Sequence, residues 1–264
     1  MKSVIVIPAR YASSRFPGKP LAPLVGATGV AKSLIERSWE AAQAVSGVDR
    51  IVVATDDGRI REAALAFGAE VVMTAETCAN GTERCADALK SLGEPELVVN
   101  LQGDAPLTPP WFIEALIEEV ASNPDVAVAT PVLRCDREAY ESFKSDRAAG
   151  RVGGTTAVFS QTGRALYFSK EVIPFVSQPF DAGSCPVFHH VGVYAYRPAA
   201  LAEYVVMGET QLEREEGLEQ LRFLAHDNPV HCVPVDARGA SFWELNNPED
   251  TPRIEAVLKA RGMV

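Results

Sequence analysis

The sequence predicts a single α/β domain: a mostly parallel central sheet with helices on both faces and a smaller mixed or antiparallel subregion. Three observations lead there. Residues 3–7 (SVIVI), 50–55 (RIVVAT) and 97–101 (LVVNL) are short, β-branched apolar runs with the composition of buried strands. The second and third are each followed by a polar loop and then by helical periodicity, the succession that builds a parallel sheet. The chain has 264 residues, 47% of them hydrophobic, with a mean hydropathy of +0.01, enough to bury one large core without disorder.

The first run ends in Pro8 and opens into a loop. Within it Arg10, Arg15 and Lys19 are interleaved with the small residues Ala9, Ala12, Ser13, Ser14 and Gly18. A strand that opens into such a loop suits a polyanion, because backbone N–H groups and fixed cations converge on phosphate at the carboxyl end of a sheet. We therefore read a nucleoside triphosphate site. GxxxxGK[ST] and GxGxxG spacings are absent, so a P-loop or Rossmann dinucleotide site is not indicated. Residues 50–55 end in Asp56 and Asp57, a helical pattern covers 59–67, and Gly68 stops it. A short strand at 70–74 follows, then the strand at 97–101, the loop QGDAP and a helix from about 110 to 121.

The second half changes character. Residues 157–160 and 165–169 flank the turn signal QTG and read as a hairpin, and residues 189–196 (HHVGVYAY) alternate in the same way. A helix is expected from about 212 to 226, a strand around 230–235 and a helix from about 248 to 261. Thr210 and Glu213 have capping-box spacing, and Asn247 with Pro248 reads as N-cap and first helical residue. With no low-complexity linker and no internal repeat, one continuous domain is expected over 1–264.

A formal charge of −10 argues against nucleic acid or an anionic membrane as partner and makes the N-terminal cations a local site on an acidic body. No apolar run approaches membrane-spanning length, and MKSVIVIPAR is broken too soon by Pro8 for a signal peptide, so a cytoplasmic location is expected. Cys78, Cys85, Cys135, Cys185 and Cys232 are odd in number without a CxxC pair, which reads as reduced structural thiols.

Two further segments carry chemistry. Asn80 to Arg84 (NGTER) reads as a tight turn opening a helix, with Thr82 as N-cap and Glu83 in its first turn; its backbone groups can also read a pyrimidine edge. Gln102, Gly103 and Asp104 follow a strand, which puts a carboxylate where sheet topology puts ligands. Asp104 is either a turn carboxylate or a Mg²⁺ ligand for a triphosphate.

PARYASSRFPGKPL resembles, almost position for position, the PARxxSxRxPGKPL signature of the sugar nucleotidyltransferases that activate 3-deoxy-manno-octulosonate (Kdo) with CTP. NGTER is similar to that family's SGTER, QGDAP to QGDEP with Ala105 in place of Glu, ALYFSK to ALYFSR with Lys170 in place of Arg, and HHVGVYAY to HxGxYxY. The resemblance spans nearly the whole chain and implies that 1–135 is mainly the CTP-binding half and 136–264 mainly the sugar-binding and dimerisation half. It implies a nucleotidyltransferase (Rossmann-like) domain that transfers CMP from CTP to a 3-deoxy-2-ulosonic acid for lipopolysaccharide or capsule synthesis, with Mg²⁺ as cofactor and a homodimer as assembly. Carried over by residue, catalysis falls to Arg10, Arg15, Lys19 and Asp104. CTP binding falls to Ala9, Arg10, Ser13, Ser14, Arg15, Lys19, Asn80, Gly81, Thr82, Arg84 and Gln102. The acceptor sugar falls to Lys170, His190, Tyr194, Glu219 and Gln220. The metal falls to Asp104 and to Asn246, which stands where the family has Asp in VDTPEDL. PVFHHVGVYAY looks like variants acting on 8-amino-Kdo, and Ala105, Thr156 and Asn246 leave open a weakened paralogue that binds without turnover.

Overall fold

The computed structural model describes residues 1–12, 16–152, 154–181 and 183–264. The chain forms two compact units, Met1–Glu114 with Ala237–Val264, and Ala115–Asp236.

In the first unit β1 (Ser3–Ala9) is buried along its whole length. Its β-branched residues leave no polar side for solvent, so it takes an interior place in the sheet. After the hairpin of β2 (Pro23–Val25) and β3 (Ala31–Ser33) comes α1 (Leu34–Gln43), whose first turn is capped by the Ser33 hydroxyl accepting from the Glu36 N–H. Then β4 (Arg50–Thr55), α2 (Gly58–Ala66), β5 (Glu70–Met73), α3 (Gly81–Ala88) and β6 (Leu97–Leu101) alternate as expected. The strand order is β5-β4-β1-β6 and every pairing is parallel. Ile5, Val6 and Ile7 are fully buried, each contributing about 1.5–3 kcal/mol of apolar transfer. A second apolar cluster joins Leu24, Leu34 and Leu107 to Leu245, Ile254 and Leu258. The last two lie on the C-terminal helix Thr251–Ala260, which a 3₁₀ turn, Pro248–Asp250, precedes. As expected, Asn247 caps that turn and Pro248 opens it.

The helix α4 (Pro110–Ser122) begins in the first unit and continues into the second from Ala115; there β7 (Val128–Arg134) and α5 (Arg137–Ala148) follow. β8 (Thr155–Phe159) and β9 (Ala165–Ser169) form the expected antiparallel hairpin. The single strand expected at 189–196 is instead two, β10 (Phe188–His190) and β11 (Val193–Tyr196), paired to successive stretches of β7. The break lies at Val191 and Gly192, where the Val193 N–H turns back to the Val191 carbonyl at 2.7 Å. After α6 (Pro198–Val206), the helix expected at 212–226 is also two, α7 (Gln211–Glu216) and α8 (Leu221–Ala225). Gly217 stops the first with φ 58°, a left-handed C-cap that glycine adopts without a Cβ penalty. The Thr210 hydroxyl caps α7, as its spacing with Glu213 predicts. β12 (His231–Val235) adds a parallel strand to β7.

Phe168, Tyr194 and Tyr196 are buried in their own chain. Apolar surface lies instead at Leu166, 63% exposed on β9, and at Phe175, 90% exposed. All five cysteines are free thiols, and burial pushes those of Cys135 and Cys232 up to about 12. Among the described residues no helix is long and apolar enough to cross a membrane.

Candidate active site

In the first unit the polar residues gather at the carboxyl ends of parallel strands, where loop N–H groups and side chains are free of the ladder. β1 ends at the buried Ala9. Arg10 follows, and its guanidinium donates to the Ala79 carbonyl at 3.2 Å, which brings it beside the NGTER turn. Gly18 has φ 72° and its N–H closes back onto the Tyr11 carbonyl at 3.0 Å, with the Tyr11 ring against the glycine. That turn delivers Lys19. Its ammonium lies 2.5 Å from the Asp104 carboxylate, both groups only partly exposed. Ser13, Ser14 and Arg15 lie outside the described residues.

Asp104 comes from the loop after β6. Gly103 allows this loop close to β1, since a Cβ there would sit 2.8 Å from the Pro8 carbonyl. The Ser38 hydroxyl donates to the Gly103 carbonyl at 2.9 Å and fixes the turn from α1. The Leu245 N–H donates to the Asp104 carbonyl at 2.9 Å, so Asn246 is the next residue beyond a backbone contact with Asp104. Asp250 in turn accepts from the Asn246 and Asn247 N–H groups at 2.9 and 2.7 Å. One carboxylate and one amide oxygen are hard donors of the kind Mg²⁺ takes, with waters and phosphates completing its shell. Among the described residues no group of three or more His, Cys, Asp or Glu side chains could hold a metal on its own. The donor set fits Mg²⁺ brought with a polyphosphate. Ala105 is fully buried under this loop, so no side chain from that position reaches solvent.

The NGTER turn is capped by Asn80, not Thr82: the Asn80 side chain accepts from the Glu83 N–H at 2.9 Å, and Gly81 is the first helical residue. A Cβ at Gly81 would lie 2.8 Å from Gln102 Nε2, so this glycine makes room for the Gln102 amide. Gln102 donates to Asn100 Oδ1 at 3.2 Å. Asn100, fully buried in β6, keeps Nδ2 without a partner among the described residues. An orphaned donor in an apolar strand is costly, and a polar residue inside LVVNL is the signal that marks it. Thr82 and Arg84 are buried, and Arg84 is held by Thr74 Oγ1 at 2.5 Å and by Asp56 at 3.1 Å, which ties the turn to the end of β4.

In the second unit the expected acceptor residues fall on β9 to β11 and on the α7–α8 connection. Lys170 follows β9; its N–H donates to Glu216 at 2.9 Å, and a Cβ at Gly217 would lie 2.8 Å from its ammonium. Glu216 also accepts from the Ser169 hydroxyl at 2.6 Å. Thr156 is buried, and its hydroxyl donates to the Glu171 carbonyl at 2.6 Å, anchoring the chain after β9. His190 is buried between Phe168 and Tyr194, with ring centroids at 4.9 and 5.5 Å, and Nε2 lies 3.0 Å from Thr130 Oγ1. Glu219 and Gln220 lie between the two short helices. Sequence reasoning missed the three side chains behind them, Tyr204, Glu213 and Arg222. Only the capping box at Glu213 signals one of these.

Burial pushes the His190 imidazole down to about 3, and that of neighbouring His189 to about 4, against about 6.5 for an unfolded chain. As pH falls, the unfolded state therefore takes up protons first. The stability these neutral rings contribute is complete above about pH 6.5 and is lost as pH falls toward the folded values. We expect the thermal midpoint to fall less steeply between pH 6.5 and 4.5 in His190→Asn than in the wild type. Parallel pH profiles would refute a buried neutral His190.

Comparisons with known proteins agree with this arrangement. The family model described as Cytidylyltransferase matches residues 4–229. A 3-deoxy-manno-octulosonate cytidylyltransferase of Maricaulis maris is 46% identical over 263 residues, covering 99% of each chain. One of Chlamydia pneumoniae is 42% identical over 255 residues, covering 96% of this chain and 92% of the relative. The solved structure of CMP:2-keto-3-deoxy-manno-octonic acid synthetase complexed with CTP superposes with a TM-score of 0.82 at 33% identity, over 99% of this chain and all of that one.

Proposed function

Because the chain belongs to the cytidylyltransferase family, we propose that it transfers CMP from CTP to the anomeric hydroxyl of 3-deoxy-manno-octulosonate, giving the CMP-sugar and pyrophosphate. The observation that carries this reading is the meeting of Lys19 and Asp104 at 2.5 Å, from loops after two parallel strands, beside a capped turn that holds Gly81 against Gln102. The anomeric oxygen attacks the α-phosphorus in line as the bond to pyrophosphate breaks. The protein's work is positioning and charge neutralisation.

Arg10, Arg15 and Lys19 bind the triphosphate together with Ala9, Ser13 and Ser14. Asn80, Gly81, Thr82 and Gln102 hold the nucleoside, and Arg84 holds their turn in place. Lys170, His190, Tyr194, Glu219 and Gln220 orient the ulosonate. His190, neutral across the physiological range, serves as a hydrogen-bonding and packing group. Mg²⁺ would be held by Asp104 and by the Asn246 amide oxygen, and when bound it neutralises charge on the departing pyrophosphate. The enzyme works in the cytoplasm as a homodimer and supplies lipopolysaccharide or capsule synthesis. The exposed Leu166 and Phe175 support the pairing, and a light-scattering mass near 28.4 kDa would rule it out.

Pyrophosphate release from CTP with a panel of ulosonates, the 8-amino analogue included, tests the reading. Turnover strongest with 3-deoxy-manno-octulosonate supports it; turnover with none overturns it. A second expectation concerns Asn246. Asn246→Asp adds a charge beside Asp104, so the Mg²⁺ concentration for half-maximal activity should fall severalfold, as Coulomb attraction predicts. An unchanged or higher requirement would place Asn246 outside the metal shell.

A further inference from the structure

Behind the proposed acceptor residues Glu219 and Gln220 lies a buried polar network. Arg222, on α8, donates from Nε and Nη2 to the Glu213 carboxylate at 2.8 and 2.7 Å, a two-point fork with both groups almost wholly buried. The Arg222 guanidinium also lies over the Tyr204 ring, 4.2 Å from its centroid. The Tyr204 hydroxyl, fully buried on α6, lies 3.2 Å from the Glu219 carbonyl and 3.4 Å from Glu213 Oε1. The same Glu219 carbonyl accepts from the Arg222 N–H at 3.2 Å. One peptide group is thus gripped from two helices.

The next residue, Gln220, occupies the N-cap position of α8 but makes no side-chain cap bond. It is 2% exposed, and its Nε2 has no partner among the described residues. A buried amide donor left unpaired costs free energy that a ligand oxygen would recover. The Glu219–Gln220 segment follows Gly217, whose left-handed conformation ends α7, so no continuous helix sets its course.

We infer that Tyr204 is a positioning residue for the acceptor sugar. Its hydroxyl, backed by the Glu213–Arg222 pair, fixes the Glu219 peptide and so aims the Gln220 amide at a sugar oxygen. This rests on the acceptor reading of Glu219 and Gln220 given above.

The test is steady-state kinetics of Tyr204→Phe, which keeps the ring under Arg222 and removes one oxygen. Gln220→Leu and Glu219→Ala are measured alongside, with CTP and 3-deoxy-manno-octulosonate varied in turn. The expected result is a KM for the ulosonate raised about tenfold in Tyr204→Phe, the scale of one aligned hydrogen bond, with KM for CTP within about twofold of wild type. The double variant Tyr204→Phe with Gln220→Leu should add little to the second change alone, because both act on one contact. If the Gln220 and Glu219 variants raise the acceptor KM and Tyr204→Phe does not, the positioning role is overturned and the acceptor reading stands. If neither Gln220→Leu nor Glu219→Ala affects acceptor KM, that reading itself fails and the proposal with it. Equal rises in both KM values with a lowered thermal midpoint would assign Tyr204 a purely structural part and overturn the proposal.

Discussion

Replacing Lys19 by Ala should lower kcat/KM for CTP roughly 10²- to 10³-fold, the loss typical of removing one preorganised charge partner from a transition state. The motive is the placement of Lys19, delivered by the Gly18 turn to within 2.5 Å of Asp104 and only partly exposed. On the proposed reading, an ammonium held there would meet the triphosphate at the point where negative charge accumulates as pyrophosphate leaves, and water alone would replace it poorly in a partly desolvated site. The fold should survive, because Lys19 is only partly buried and its partner Asp104 keeps contact with water. Lys19→Arg should recover only part of the activity, since the fork of a guanidinium does not reproduce a compact point charge. Pyrophosphate release by Lys19→Ala at near the wild-type rate would sink the triphosphate assignment.

Arg222→Ala should be among the most destabilising single changes in the second unit. It leaves the Glu213 carboxylate buried without its partner, and stranding one member of a buried pair costs about 3–5 kcal/mol. For a chain of this size that corresponds to a fall of roughly 6–20 °C in thermal midpoint. Arg222→Met with Glu213→Gln removes both charges together and should lose much less. Calorimetry distinguishes the cases: a midpoint within about 2 °C of wild type in Arg222→Ala would mean that water reaches Glu213 and that the pair is not desolvated.

Much of the first unit was legible because its strands announce themselves. Residues 50–55 and 97–101 are short runs dominated by β-branched apolar residues, and the structure places strands at those residues. They read clearly because a parallel strand covered on both faces needs no alternation. β7 is silent by the same criterion. Pro131 interrupts VATPVLR, yet the strand pairs with β10, β11 and β12, and the Pro131 carbonyl still accepts from the Val191 N–H. The break between α7 and α8 was hidden for another reason. The capping-box spacing of Thr210 and Glu213 opens a helix and Leu218, Leu221 and Leu224 continue at helical spacing, so only the left-handed Gly217 shows where the first axis ends. At the site, motif residues could be named from the family resemblance, whereas the grip of Tyr204 on Glu219 joins positions 15 apart through a turn that no motif encodes.

The first unit is assembled from both ends of the chain. Leu24, Leu34 and Leu107 find half of their packing partners only in Leu245, Ile254 and Leu258. On a ribosome adding about 5–20 residues per second, the interval between the emergence of residue 34 and that of residue 258 is on the order of 10–45 s. Throughout it this apolar patch stays open while the whole second unit is made. The first unit therefore closes only after residues 245–258 have been made, later in synthesis than the second unit that lies between its two segments.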